Sequence, residues 1–291
     1  SLDMIMPVMI VSSPWTGTRG VSLPFTDSCE PFCRDERILP EAVDRVLNIG
    51  RKSGWRHVEW RGLGRFAIDV PPSETFLTHA IDLARDESAL FAGLDESNRR
   101  NIRKAGREKL EVRLSQKEEF LGPFFRLNCL TRRRHGLPPQ PYAFVRNVFR
   151  EVIARGHGLA AAAVLGGRVI AISIYFHFGS EAVFKYGVSD LANRHVRPNN
   201  LVMWEALNWY RERGFRTMGL GRTELANPGL LQFKRTWGGR EDMVRYRRYD
   251  LGKRSFTKKD GGRGGLFEKI FSRTPTSVLR VFGALLYRHA G

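Results

Sequence analysis

The chain has 291 residues, 42% of them hydrophobic and 11% aromatic, which fits one large or two ordinary folded domains and argues against a disordered chain. Its 48 Lys and Arg against 30 Asp and Glu give a net charge of +18, a field that favours nucleic acid, phospholipid headgroups or a phosphorylated small molecule as partner. The three cysteines, Cys29, Cys33 and Cys129, argue against a disulfide framework and for a reducing compartment. No His/Cys pair follows Cys33 at zinc spacing, so no metal is expected.

In chain order, strand-like runs are expected at Ile5–Val11, Val21–Phe25, His57–Trp60 and Thr75–Asp82, with a helix from Pro40 to about Lys52. A short helix follows, then a cap at Asp95 and a basic helix to Glu108. Two longer helices, Lys117–Arg134 and Tyr142–Ala154, flank the breaker GLPPQP. The longest apolar run starts at Leu159 and is broken by Gly166-Gly167-Arg168. It reads as two strands joined by a tight turn and not as a membrane span. With Ala182–Val188 these strands form an antiparallel meander. A helix over Asn199–Arg213, a strand at Arg216–Leu220, a short helix at Gly229–Trp237 and a strand at Met243–Tyr249 complete the pattern. The fold class is therefore α/β (α+β with mixed sheets). No leader peptide opens the chain, and a cytoplasmic protein is expected.

After the linker GKRSFTKKDGGRGG, Phe267, Ile270 and Phe271, then Val278, Val281, Phe282, Leu285 and Leu286, recur at helical spacing among Lys269, Arg273, Arg280 and Arg288. Such a tail either lies on an anionic membrane surface, at the inner membrane face, or covers the preceding unit as a packed helix.

Some side chains carry chemistry by position alone. Arg194, Arg197, Asn199 and Asn200 crowd the start of the helix at Pro198. A helix N-terminus presents free N–H groups and partial positive charge, so this is a candidate anion site; the alternative is a solvated basic loop. Glu224 follows the glycine-containing strand GLGRTE and can accept a proton or hold an amine, or be a surface carboxylate. Tyr186, on the last meander strand, can protonate a leaving group or simply pack. No Gly-x-Ser-x-Gly elbow or Cys–His pairing suggests an enzyme nucleophile.

The order of elements in the second half resembles the GNAT acyltransferase fold. SLPFTDSCEPF, NRRNIRKAGREKLEV, TRRRHGLPPQP, KYGVSD, RPNNLVMWEAL, GRTE and FKRTWGG together resemble the FemAB-related, BioF2-like branch of that superfamily, from about Val8 to Tyr249. The resemblance implies two GNAT-like units in tandem: a first one over 1–92, short at its N-terminus, a second over 93–252, and the linker and amphipathic tail over 253–291. It implies Lys234, Glu224 and Tyr186 in the chemistry, with Arg222, Phe233, His135 and Arg134 joining the helix-start residues in substrate binding. Phe233 and Lys234 match the family's Phe-Lys element.

The activity so implied is acyl or aminoacyl transfer to an amine of a cell-envelope or polysaccharide precursor, peptidoglycan precursors among them. The amine attacks the acyl carbonyl directly, with no bound cofactor. The donor is aminoacyl-tRNA or acyl-CoA, and the acceptor can be lipid-linked. An ordinary acyl-CoA N-acetyltransferase is the second reading. A non-catalytic basic scaffold on membrane or nucleic acid is the third.

Overall fold

The computed structural model describes residues 3–63, 70–258 and 265–289. Linker residues 259–264 and the side chains of Phe267 and Arg288 lie outside the described residues. The first part runs β1 (Met4–Ile5), β2 (Met9–Ser13), β3 (Gly17–Val21), β4 (Phe32–Cys33), α1 (Leu39–Lys52), β5 (His57–Arg61) and β6 (Glu74–Asp82). Next come α2 (Glu87–Ala92), α3 (Glu96–Arg107), β7 (Leu110–Ser115), α4 (Leu121–Arg134) and α5 (Tyr142–Val148). The meander is β8 (Gly158–Leu165), β9 (Arg168–Phe178) and β10 (Glu181–Ser189), followed by α6 (Pro198–Glu212) and β11 (Thr217–Glu224). The chain continues through α7 (Pro228–Arg235), β12 (Arg240–Asp250), β13 (Ser255–Phe256), α8 (Gly265–Arg273) and α9 (Thr276–Leu286).

One eleven-stranded sheet runs β2-β3-β5-β12-β6-β11-β10-β9-β8-β7, with β13 on β12. Only β3–β5 and β10–β11 are parallel among its pairs. β12, late in the chain, lies between the early strands β5 and β6, so the two halves share their hydrogen-bond ladder.

The run Leu159–Val164 shows how β8, next to the edge strand β7, is buried on both faces. Ala161 and Ala163 face the core under α3 and α6, while Ala160 and Ala162 face the core under α4 and α5. A period of two buries both faces, and small side chains let helices close on each. Gly166 and Gly167, at φ 55° and 77°, form the tight turn into β9, a backbone conformation that glycine adopts without cost. A third cluster packs α1 through Leu39 and Leu47 on Val58 and Trp60 of β5.

The strand expected at Val21–Phe25 lies earlier, at Gly17–Val21. Trp55 packs where a side chain on Gly20 would stand, so the glycine belongs inside the strand. Pro24 and Phe25 then turn: Thr26 N donates to Leu23 O, and Phe25 takes φ 65°.

The tail is a packed helix pair. α8 and α9 both pack on α4. Leu279 is fully buried, and two glycines admit the close approach. A β-carbon on Gly136 would meet the Glu268 backbone, and one on Gly283 would meet the Pro139 carbonyl. Gly136, at φ 64°, also ends α4, with Leu137 N bonded to Arg132 O. Among the described residues, no helix is long and apolar enough to cross a membrane.

Gly283→Val should therefore destabilise the protein by about 1–3 kcal/mol, the usual range for overpacking. Ala284→Val, exposed on the same helix, should cost no more than about 0.5 kcal/mol through helix propensity. Urea melts of both variants check this; equal costs would show that α9 does not depend on the approach at Gly283.

Candidate functional site

The sheet opens in one place. β10 and β11 pair only through Glu181–Val183 with Thr217–Gly219, and no further register joins them. A bulge between Phe184 and Tyr186 bends β10, and a shift between Gly219 and Arg222 displaces β11 against β6. Bulges bend a strand and re-aim its side chains. The resulting wedge holds a cavity of about 310 Å³ lined by Asp27, Lys185, Tyr186, Arg222, Lys234 and Tyr287, among others.

Lys234 is placed by α7. Asn227 caps that helix by accepting from Leu230 N, Pro228 occupies its first turn, and Leu231 and Lys234 face inward three residues apart. The Lys234 ammonium donates to Gly221 O at 2.8 Å and Arg222 O at 3.1 Å. Only 4% of the residue is exposed, and burial brings its pKa down to about 8, with Asp27 opposing the shift. Phe233 is more exposed and meets Trp237 edge-on at 6.2 Å, so Leu231 is the buried companion of Lys234.

Across the wedge, burial pushes the Tyr186 phenol up to about 12, despite Arg132. The phenol therefore holds its proton at neutral pH. Lys185 donates to Phe25 O at 2.6 Å, and burial lowers its pKa although Asp27 raises it. Tyr246 anchors the Asp27 backbone by donating to its carbonyl at 2.8 Å. The Asp27 carboxylate approaches Arg222 at 3.8 Å and lies over Gly221, where a β-carbon would touch it.

Arg222 also borders a second, larger cleft of about 770 Å³ on β3, β5 and β12. Arg19, Arg56, Arg61, Arg222 and Arg248 line it, against Glu59, Glu74 and Asp250, so its walls carry excess positive charge. Glu59 and Arg61 stand two residues apart on one face of β5 and pair at 2.8 Å, both nearly buried. Burial and neighbouring Arg248 hold His57 down to about 4, so it adds no charge at neutral pH. Trp15, Trp55 and Tyr246 supply aromatic walls.

Lys234, Tyr186 and Arg222 are thus brought together. Glu224 is exposed at the far end of β11 and lines neither cavity. Arg194, Arg197 and Asn199 are exposed where α6 begins and line neither cavity; Arg197 is its cap residue at φ 57°. Asn200 has a structural partner: it donates to Asn98 at 2.8 Å, which donates to Thr236 at 3.0 Å. Arg134 and His135 are exposed at the end of α4, and burial with Arg134 and Arg132 nearby lowers the His135 pKa. Their neighbour Arg132 is the one near Tyr186 and Tyr287. Sequence reasoning missed Asp27, Lys185 and the arginine cleft. The available signal was charge at alternate positions of apolar strands, as in HVEWR and RYRRYD. Among the described residues, no group of three His, Cys, Asp or Glu side chains could hold a metal ion.

Residues 96–235 match the acetyltransferase (GNAT) domain family. The chain is similar to the solved structure of FemX over 84% of each chain, at 14% identity and TM-score 0.65. L-PGS from Bacillus licheniformis matches 94% of this chain and 87% of its own, at 12% identity and TM-score 0.56. A tandem GNAT protein from the clavulanic acid biosynthesis pathway matches 81% and 75%, at 13% identity and TM-score 0.50. Among curated proteins, none matches the sequence. The chain thus carries a GNAT-type acyltransferase domain over residues 96–235. Over the 84% and 81% of the chain so matched, its mixed α/β fold is that of FemX and of the tandem GNAT protein.

The Lys234 pKa of about 8, against an ordinary 10.5, sets a pH dependence. Between these values the unfolded chain keeps the proton that the folded chain has released, so stability from this site rises with pH. The penalty is complete below about pH 8 and relieved above about 10.5. Relative to Lys234→Met, the wild type should gain up to about 3 kcal/mol across that window. Urea melts at stepped pH measure the difference; a flat profile would mean a fully solvated ammonium.

Proposed function

We propose that this protein is an N-acyltransferase or aminoacyltransferase that forms an amide on an amine of a cell-envelope or polysaccharide precursor. The observation that carries this reading is the wedge between β10 and β11, where Lys234, Tyr186 and Asp27 face one cavity of about 310 Å³ in a GNAT-type domain. The acceptor amine attacks the acyl carbonyl carbon directly. The carbonyl electrons move onto oxygen, then return as the bond to the leaving group breaks. Asp27 holds the amine and takes its proton, a role the sequence reading gave to Glu224. The third N–H of Lys234, beyond its two backbone bonds, stabilises the oxygen charge that develops. Tyr186, protonated at neutral pH, delivers a proton to the leaving group.

The arginine cleft suits the phosphate or pyrophosphate of a substrate, since guanidinium groups pair with phosphate through two parallel bonds. Arg222 borders both spaces, so an anion held in the cleft is tethered beside the wedge. Both proposed donors, aminoacyl-tRNA and acyl-CoA, carry phosphates, as does a lipid-linked acceptor of the peptidoglycan type. A cytoplasmic site of action follows from those donors. The FemX likeness supports the aminoacyl reading at the level of fold, and the tandem GNAT likeness supports the acyl-CoA reading equally.

The test is to incubate the protein with acyl-CoAs or charged tRNAs and amine acceptors, and to identify the amide by mass spectrometry. With the productive donor, Lys234→Ala should lower turnover by roughly 10²–10³, the range for one oxyanion donor. Lys234→Arg should restore little, because a planar fork cannot reproduce the two backbone bonds and the third donor together. Wild-type turnover in Lys234→Ala would remove Lys234 from the mechanism. Absence of product with both donor classes would overturn the reading.

A further inference from the structure

The tail helices are apolar on two sides. The inner side is used: Leu279 is fully buried and Gly283 lies against Pro139. On the outer side of α9, Val278, Val281 and Leu285 recur three, four and seven apart, standing 43%, 60% and 53% exposed. Ile270 of α8 is 51% exposed. A helix that only packs against its own protein is polar on its outer side. Here Lys269 and Arg273 are exposed on α8, while Arg280 of α9 lies over the Phe125 ring of α4 at 5.2 Å, and Glu268 is the single carboxylate between 265 and 289.

We propose that α8–α9 docks on an anionic lipid surface, the stripe Ile270, Val278, Val281 and Leu285 entering the headgroup boundary while Lys269 and Arg273 meet lipid phosphates. An apolar stripe among cations with almost no carboxylate is the pattern such a surface binds. A second copy of this chain would set the same cations against each other across a two-fold axis, where like charges repel.

The docking face is joined to the site. Beyond α9, Tyr287 stacks on Phe25 at 4.9 Å and meets Phe144 at 4.9 Å, at the wedge. His289 accepts from Arg19 through its carbonyl at 3.2 Å and abuts Trp15 at 4.6 Å, at the arginine cleft. Docking therefore holds the boundary of both cavities next to the lipid. On the acyl-transfer reading, this selects a lipid-anchored anionic substrate; the docking itself does not rest on that reading.

The test uses the full chain, without donor or acceptor, sedimented with vesicles of phosphatidylglycerol mixed with phosphatidylcholine, and with phosphatidylcholine alone. Wild type should bind the mixed vesicles and not the neutral ones. Val281→Asn with Leu285→Asn removes the stripe at unchanged charge and should weaken binding at least about tenfold. Lys269→Ala with Arg273→Ala should weaken it about thirtyfold, from the usual contribution of each cation near an anionic surface. Because all four positions are exposed, melting temperatures should stay close to wild type. Equal binding to neutral vesicles, or wild-type binding by the asparagine variant, would overturn the proposal. So would a wild-type dimer in sedimentation velocity that the asparagine variant dissociates.

Discussion

Everything around the candidate site follows from a ladder left unfinished. Where β10 and β11 stop pairing, backbone groups inside the fold lose their strand partners, and buried carbonyls without donors are costly. The sequence meets this with lysines. Lys234 serves Gly221 and Arg222 of β11, and Lys185, on β10, reaches the Phe25 carbonyl in the loop after β3. A lysine has three donors and no acceptor, so each can satisfy carbonyls and keep capacity for something in the cavity. The opening, the charge and the shape of the cavity are one arrangement. Removing Lys234 therefore strips two carbonyls of a donor as well as a cation from the wedge, and stability and turnover have to be read separately.

The arginine cleft applies the same logic to charge. Burying guanidinium groups carries a desolvation penalty of several kcal/mol each unless partners compensate. Glu59 pairs with Arg61 and also favours the charge on Arg19, while Arg248 and Arg61 act against Arg19. His57 is neutral at neutral pH chiefly because it is buried, with Arg248 adding to the effect. Side chains that served stability alone would be balanced or replaced by apolar ones. The phosphate-bearing ligand proposed for the cleft would supply the missing negative charge, a physical reason for the cleft to persist.

Much of the fold was legible because its signals are local. The alternating burial of Ala160 to Ala163, the turn at Gly166-Gly167 and the start of α6 at Pro198 each depend on near neighbours. The displaced β3 was not legible, because Gly20 argues against a strand until Trp55 is seen filling its place. β12 was legible as a strand, but its place was not, because its partners β5 and β6 lie over 150 residues earlier. The site shows the same division. Lys234 came with the family resemblance and Tyr186 from its place on the last meander strand, and both stand at one cavity. Helix-end reasoning picked Arg194 and Arg197, and the resemblance added Arg134 and His135; all four are exposed. Dipoles mark every helix end alike, and only tertiary packing decides which ends face a cavity. Asp27 reaches the wedge through a loop held by Tyr246, more than two hundred residues away.

The tail brings these constraints together. Its inner face is committed by Gly136 and Gly283, which bring it backbone to backbone against the loop after α4. Its last turn adds Tyr287 to the ring cluster of Phe25 and Phe144. Phe25 is held in turn at its carbonyl by Lys185. Burial raises the Tyr287 phenol as it does Tyr186; Tyr186 adds to the rise at Tyr287, Asp27 to that at Tyr186, and Arg132 lowers both. Both therefore remain neutral at neutral pH. Phe25, Tyr186 and Tyr287 give the cavity a neutral aromatic wall, with the Lys185 ammonium held at the Phe25 carbonyl and the Lys234 ammonium at the Gly221 and Arg222 carbonyls. On the proposed acyl-transfer reading, an acyl group would lie against the rings with its developing oxyanion beside the Lys234 ammonium, in a site assembled from residues between positions 25 and 287.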